Sequence, residues 1–374
     1  MKKLIIFILC IGFLSGFYFL ADWNYHQRKA EQQYIVDKPS ALPTVQSAKF
    51  TSFGFRSVKA DYYRLQMIQY IGGNIFNFSY KEYLYHMTQL IIGLNPSFED
   101  PYVIAELLLP SYNARYEKLD ETKREKYIDE AIKIGEQAVK EFCDAKILKE
   151  IQQEENLEKL FNEEKYKNPC TKYEAIYNLA YLYFQYKNDP KTAAYYYKVS
   201  SVIEDTPEGA KNMIAIMNGK GGNREKAFFM QIDMARYRNA DDACSQVAND
   251  LYAVGKEIFS KKYIPSELLK NIEHIRQTAF PYNDEKLQNI QCDTYINKAV
   301  RELNLYYLDL ANTKYREQTG KNALSAKILF DEGYIDFLPI DFQKTKDSQI
   351  IYFYDKKYGF FNYKMGDYKY IKEE

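Results

Sequence analysis

A chain of 374 residues can hold two or three domains or one elongated solenoid. Its 51 basic side chains are matched by 51 acidic ones, which excludes the net basic field of a nucleic-acid surface. The 37 tyrosines and 23 phenylalanines, in clusters such as Tyr195-Tyr196-Tyr197, read as helix-face residues rather than as stacking platforms for sugars or bases.

Lys2-Lys3 precedes an uncharged run from Leu4 to Ala21. At 1.5 Å per residue the run covers roughly 27 Å, about a bilayer's hydrocarbon core. Tyr18, Trp23 and Tyr25 fall where an outer aromatic belt lies, and the lysines favour an N-terminus inside. The competing reading is a cleavable signal peptide, but cutting after Ala21 puts Phe19 at −3, where a small residue is needed. Leu9, Ile8 and Phe7 take the places of the small residues that would precede a lipidated Cys10. The expectation is an uncleaved single-pass signal-anchor over 1–21 in the cytoplasmic membrane, with the bulk of the chain periplasmic or extracellular. A polar stalk over 22–52, with Pro39 and Pro43, follows.

From Phe53 to Gly72 the spacing predicts a helix with Val58, Tyr62, Leu65 and Ile68 or Gln69 on one face, ended by Gly72-Gly73. A second helix is predicted over Tyr80–Gly93, and a third near Asp100-Pro101, as N-cap and first helical position. The run Gly54-Phe55-Arg56, Ala60-Asp61-Tyr62-Tyr63, Gln69-Tyr70-Ile71-Gly72, then Leu94-Asn95-Pro96-Ser97-Phe98 and Tyr102, resembles the start of a family of bacterial membrane-anchored tetratricopeptide-repeat proteins. Arg64 stands where that family often has Trp. The resemblance implies an architecture, a short anchor before a helical array, and no settled biochemical activity.

Over Tyr127–Phe142, Ala131, Gly135 and Ala138 supply small residues at steps of four and three, where two helices can approach closely. Asp144–Lys167 alternates charge with few apolar positions and is expected to be a solvated arm closing back on the array, with a charged arm that reaches a partner as the other reading. Of the five cysteines, Cys143, Cys170, Cys244 and Cys292 lie beyond the apolar segment, and none forms C-x-x-C. Outside the cytoplasm they allow three disulfide pairings or four free thiols. Cys143 with Cys170, which flank the charged insertion, is the preferred pair, with Cys244 and Cys292 as the second.

Tyr173–Glu208 is the most repeat-like stretch. Ile176, Leu179, Ala180 and Tyr183 share one face of a first helix, and Ala193, Tyr197 and Ser200 line a second. Asp189 is placed to cap the second helix, with Pro190 at its first position and Pro207 after its end. This pattern resembles a tetratricopeptide repeat. Thr206–Met217 and Asn223–Tyr237 form the next predicted pair, joined by Gly219-Lys220-Gly221-Gly222, which lacks the order of a phosphate-binding loop and reads as a turn. Asp241–Ser260, with Ala243, Val247 and Leu251 inward, and Ser266–Gln277 make another.

Cys292–Arg316 predicts a longer helix. The tail alternates through Ile351 and Phe353, turns at Asp355-Lys356-Lys357-Tyr358-Gly359, and resumes at Phe361 and Tyr363, a β-hairpin expected to pack on the last helices. This tail resembles the end of the same family, which is similar to the C-terminal parts of pseudopilins. Asp341-Phe342-Gln343 departs from the family's Asp-Pro-Phe-Gly-Gly, so no calcium or packing role is carried over to that loop.

The three histidines, His26, His86 and His274, have no partner at metal-ligand spacing, and His86 and His274 are expected as partly buried helix residues. No nucleophile elbow, H-E-x-x-H helix or dinucleotide fingerprint occurs, so neither catalysis nor a cofactor is expected. The predicted fold is all-α: a TPR-like α-solenoid of stacked helical hairpins over 53–290, behind an N-terminal transmembrane helix and closed by a helix and small β-hairpin cap over 291–374. First helices line the concave face of such an array. That makes Tyr177, Tyr181, Gln185, Asn212 and Arg115 candidate groove residues for another envelope protein or peptide. The function expected is a membrane-tethered scaffold, of the kind found in secretion or surface-filament assemblies. The alternative is a structural subunit of a homo-oligomeric envelope assembly.

Overall fold

The computed structural model describes residues 12–27, 42–75, 78–112, 117, 119–237, 242–265, 267–269, 271, 291–339, 341 and 348–367. These residues are mostly helical. In chain order they form α1 (residues 12–27), α2 (Val45–Phe50), α3 (Arg56–Asn74), α4 (Lys81–Leu94), α5 (Asp100–Leu108), α6 (Glu121–Phe142), α7 (Ala145–Gln153) and α8 (Leu157–Asn162). There follow α9 (Glu174–Gln185), α10 (Pro190–Ser200), α11 (Gly209–Lys220), α12 (Arg224–Tyr237), α13 (Asp242–Lys261), α14 (Gln291–Thr319), α15 (Ala326–Asp331), β1 (Ser348–Asp355) and β2 (Phe360–Asp367). The chain divides into two compact units, Met1–Ala145 with Cys170–Leu182, and Lys146–Pro169 with Tyr183–Glu374.

In the first unit α1 exposes its apolar side chains, Phe13, Phe17 and Trp23 among them. Among the described residues no helix is long and apolar enough to cross a membrane, and residues 4–11 of the predicted span lie outside them. Part of the predicted stalk is a packed helix. The Thr44 hydroxyl caps α2, accepting from the Ser47 amide at 3.2 Å, and Ala48 is fully buried. Val45 occupies the space left by Gly93 of α4, where a Cβ would lie 2.5 Å from its Cγ1.

The α3 helix turns Ala60, Tyr63, Met67 and Tyr70 inward to pack on α4, where Leu84, Met87 and Ile91 are buried. It passes through Gly72 and Gly73 rather than ending there. Neither glycine takes a positive φ, and the Asn74 amide donates to the Tyr70 carbonyl at 3.0 Å, holding the last turn. At the start of α5, Asp100 does not cap. It lies inside the first turn and accepts from Arg64 of α3. Asp120 caps α6, accepting from Lys123 N at 2.8 Å. Ala131, Gly135 and Ala138 form the buried small-residue face of α6. A Cβ on Gly135 would stand 2.3 Å from Glu106 Oε1 and 2.8 Å from Leu179 Cδ1, so α5, α6 and the start of α9 converge there. Cys143 and Cys170 are joined by a disulfide, beside which Thr171 N donates to Phe142 O at 3.0 Å.

In the second unit each of α10, α11, α12 and α13 packs on the next, and α14 lies against α12 and α13. Asp189 caps α10, accepting from Thr192 N at 3.1 Å with Pro190 at the first position, and Tyr183 stacks on Tyr196 at 5.6 Å. The charged segment after Cys143 keeps most of its charged residues exposed but closes back on α10. Four of its apolar residues, Ile151, Leu157, Leu160 and Tyr166, are buried, and Ile147, Leu148 and Phe161 are half-buried. Lys198 of α10, itself buried, donates to the Ile151 and Glu154 carbonyls and so satisfies the last turn of α7. The β1–β2 hairpin is antiparallel, pairs Tyr352 with Tyr363, and packs through β2 on α14.

Candidate functional site

The densest charge in the second unit is buried at the base of the hairpin. Arg224, the residue after the Gly-rich turn, donates through Nη1 to Gly219 O at 2.7 Å and Glu302 Oε2 at 3.2 Å. Its Nε reaches Asp309 Oδ2 at 3.3 Å and its Nη2 the Phe361 carbonyl, so every guanidinium nitrogen is engaged. Asp309 also accepts from Phe361 N at 2.6 Å. A second buried pair, Arg301 with Asp341, is bidentate at 2.5 and 3.0 Å, and the Tyr352 hydroxyl donates to Asp341 at 3.0 Å.

Burial pushes the Glu302 carboxyl and the Tyr352 phenol up, and Arg224 opposes the shift at Glu302. These groups are spent on one another; they pin the hairpin to α14 and to the α11–α12 turn. A cleft of about 440 Å3 beside them is lined by Lys262, Arg316, Tyr306 and Phe360 together with Glu225 and Asp309. Asp341 therefore has the packing role that the departure from the family pattern seemed to remove. Its partner stands 40 residues away, beyond the reach of any local pattern.

Of the candidate groove residues, Tyr177, Tyr181 and Gln185 stand at four-residue steps along α9. Tyr177 and Tyr181 lie one turn apart on α9, the first half-buried and the second exposed. Gln185 is exposed at the end of that helix. Asn212 of α11 accepts from Lys298 of α14 at 3.2 Å. Burial, with Arg301 adding to it, lowers that lysine to about 8. Arg115 and His274 lie outside the described residues, as do the side chains of Cys244 and Cys292. His86 is exposed rather than partly buried, and it lies across α4 from buried Leu84 and Ile91. His26 meets Asp22 at 3.6 Å on the exposed α1. Among the described residues no cluster of His, Cys, Asp and Glu could hold a metal.

The least expected surface is in the first unit. The face of α3 carrying Val58, Tyr62, Leu65 and Ile68 points to solvent, with Val58 65% and Leu65 59% exposed. The helix is thus apolar on two faces, and α4 takes only the other one. At its N-terminal end the corner from α2 adds Phe50, Phe53 and Phe55, at 82%, 83% and 70% exposure. A run of this kind on a soluble surface marks a contact site. Periodicity had already grouped Val58, Tyr62 and Leu65. Phe53 and Phe55 were expected inside that helix, which starts only at Arg56, and Phe50 at the end of the stalk.

Set against protein-family models, curated proteins and solved structures, the chain finds no match in any of the three.

Proposed function

We propose that this protein is a non-catalytic, membrane-tethered scaffold: a TPR-like array of stacked helical hairpins, held at the cell-envelope membrane by residues 4–21, that binds another envelope protein. The observation that carries the reading is the second apolar face of α3, with Val58, Tyr62, Leu65 and Ile68 exposed on a helix already packed through its other side. Burying side chains of this size is worth about 1.5 to 3 kcal/mol each, enough for a few of them to anchor a partner. Consecutive packing from α10 to α13 agrees with a helical array. Tethering concentrates such a surface near membrane-bound partners.

The test is site-specific photocross-linking from Leu65 in intact membranes, with Gln46 as the control position. One foreign envelope protein captured from Leu65, and lost in Leu65→Asp, is the expected result. A ladder of self-adducts from Leu65 overturns it in favour of a homo-oligomeric structural subunit.

A further inference from the structure

We infer that the α2–α3 corner is a membrane-seating tip, and that Phe50, Phe53 and Phe55 enter the interface of an anionic bilayer. This rests on the membrane-tether reading and adds a second point of contact to it. Three observations meet at the corner.

The first is charge. Lys49, Arg56 and Lys59 stand among the three rings, and no acidic residue occurs from Val45 to Ala60. Apolar rings flanked by basic side chains match acyl chains below and anionic headgroups above.

The second is polar satisfaction. The corner's two hydroxyls already donate within it, Thr51 Oγ1 to Ser47 O at 2.8 Å and Ser52 Oγ to Lys49 O at 2.7 Å. Phe55 N donates to Ser52 O at 2.8 Å, closing the turn, and Lys59 Nζ donates to Thr51. These two hydroxyls and the Phe55 amide can leave water without being stranded. Phenylalanine, unlike tyrosine, brings no hydroxyl of its own.

The third is conformation. Phe53 holds a left-handed backbone, φ 47°, followed by Gly54 at φ 93°, while its ring touches solvent. Strain at a bulky residue whose side chain serves no packing purpose in the fold points to a use outside it. The corner itself is fixed from beneath, with Ala48 and Ser52 buried and Val45 seated over Gly93.

The connection to the apolar helix is short. Residues 28–41 separate α1 from Leu42, and fully extended they span at most about 50 Å. The corner therefore stays within reach of any bilayer that holds the N-terminal segment. Aromatic and basic residues alternate here with no acidic residue among them, which suits an anionic lipid surface.

The experiment uses the full chain reconstituted into vesicles of 70% phosphatidylcholine and 30% phosphatidylglycerol. In a W23F background, F53W is the sole tryptophan, and bromine-labelled lipid reports its contact with acyl chains. The expected result is a blue-shifted F53W emission that brominated lipid quenches at least twofold, with the quenching lost in the K49E/R56E/K59E variant. F50W serves as a second reporter, and circular dichroism verifies that each variant folds. Emission that stays unquenched at both positions in chains that float with the vesicles overturns the inference and leaves the tether standing. A blue shift without quenching also overturns it, because protein rather than lipid then covers the tip. Failure of the chain to float overturns tether and tip together.

Discussion

Phe53 pairs a left-handed backbone with a ring that is 83% exposed. For an L-residue with a Cβ that backbone costs roughly 1 to 2 kcal/mol, and asparagine tolerates it far better. Phe53→Asn is therefore expected to raise the stability of the full chain by about 1 kcal/mol in urea unfolding. A loss of stability would show the ring to be part of the fold. Glu106 is the opposite case, a carboxyl sealed inside the first unit. Burial pushes it well above the ordinary 4.5, and a side-chain hydrogen bond with Asn178 opposes the shift only in part. The folded chain keeps this proton where the unfolded chain has lost it. Its contribution is complete below pH 4.5 and declines as pH rises from there toward the folded value. Glu106→Gln removes that decline. It is expected to stabilise by roughly 1 to 3 kcal/mol at pH 7, with the advantage shrinking toward pH 4.5, as read from melting temperatures across that range.

Among the elements, α2 depends most on one small residue. Gly93→Ala places a methyl 2.5 Å from Val45 Cγ1, a distance that neighbouring atoms cannot keep. It is expected to lift α2 from α4 and destabilise by about 1 to 3 kcal/mol, with faster amide exchange at Ala48 than in the parent. Such contacts divide what the sequence discloses from what it hides. Asp189 with Pro190 and the small face of α6 obey rules that act within a few residues, and both were readable in advance. The stripe Val58, Tyr62 and Leu65 was readable as a face but not as an exposed one. A second apolar face, Ala60, Tyr63 and Met67, competes for α4, and periodicity cannot say which wins. The Arg224–Glu302 pair was invisible because its members lie 78 residues apart and meet only when α12 docks on α14. The charged stretch after Cys143 was readable as closing back on the helices, but its charged composition hid which residues seat it. Four apolar residues spaced along it suffice to bury one side.

At the scale of the molecule, the Cys143–Cys170 bond spans a sequence separation of 27, for which loop closure predicts about 3.5 kcal/mol of stabilisation. Reduction is expected to lower the unfolding midpoint accordingly, and Cys143→Ser/Cys170→Ser should match the reduced parent. The two units are interleaved along the chain, since 146–169 belongs with the residues from Tyr183 onward. A fragment beginning at Tyr183 lacks the Ile151 and Glu154 carbonyls that receive buried Lys198. It is expected to unfold at lower urea than the same residues within the whole protein, and a peptide of residues 146–169 should bind and restore it. Interleaving also dictates a timetable. In a chain delivered from its N-terminus, 146–169 emerges early, yet the bulk of its own unit arrives only with the last residues. Once Leu182 is out, oxidation of Cys143 and Cys170 can tie that stretch into a closed ring, its ends fixed to a finished first unit while its middle waits for company.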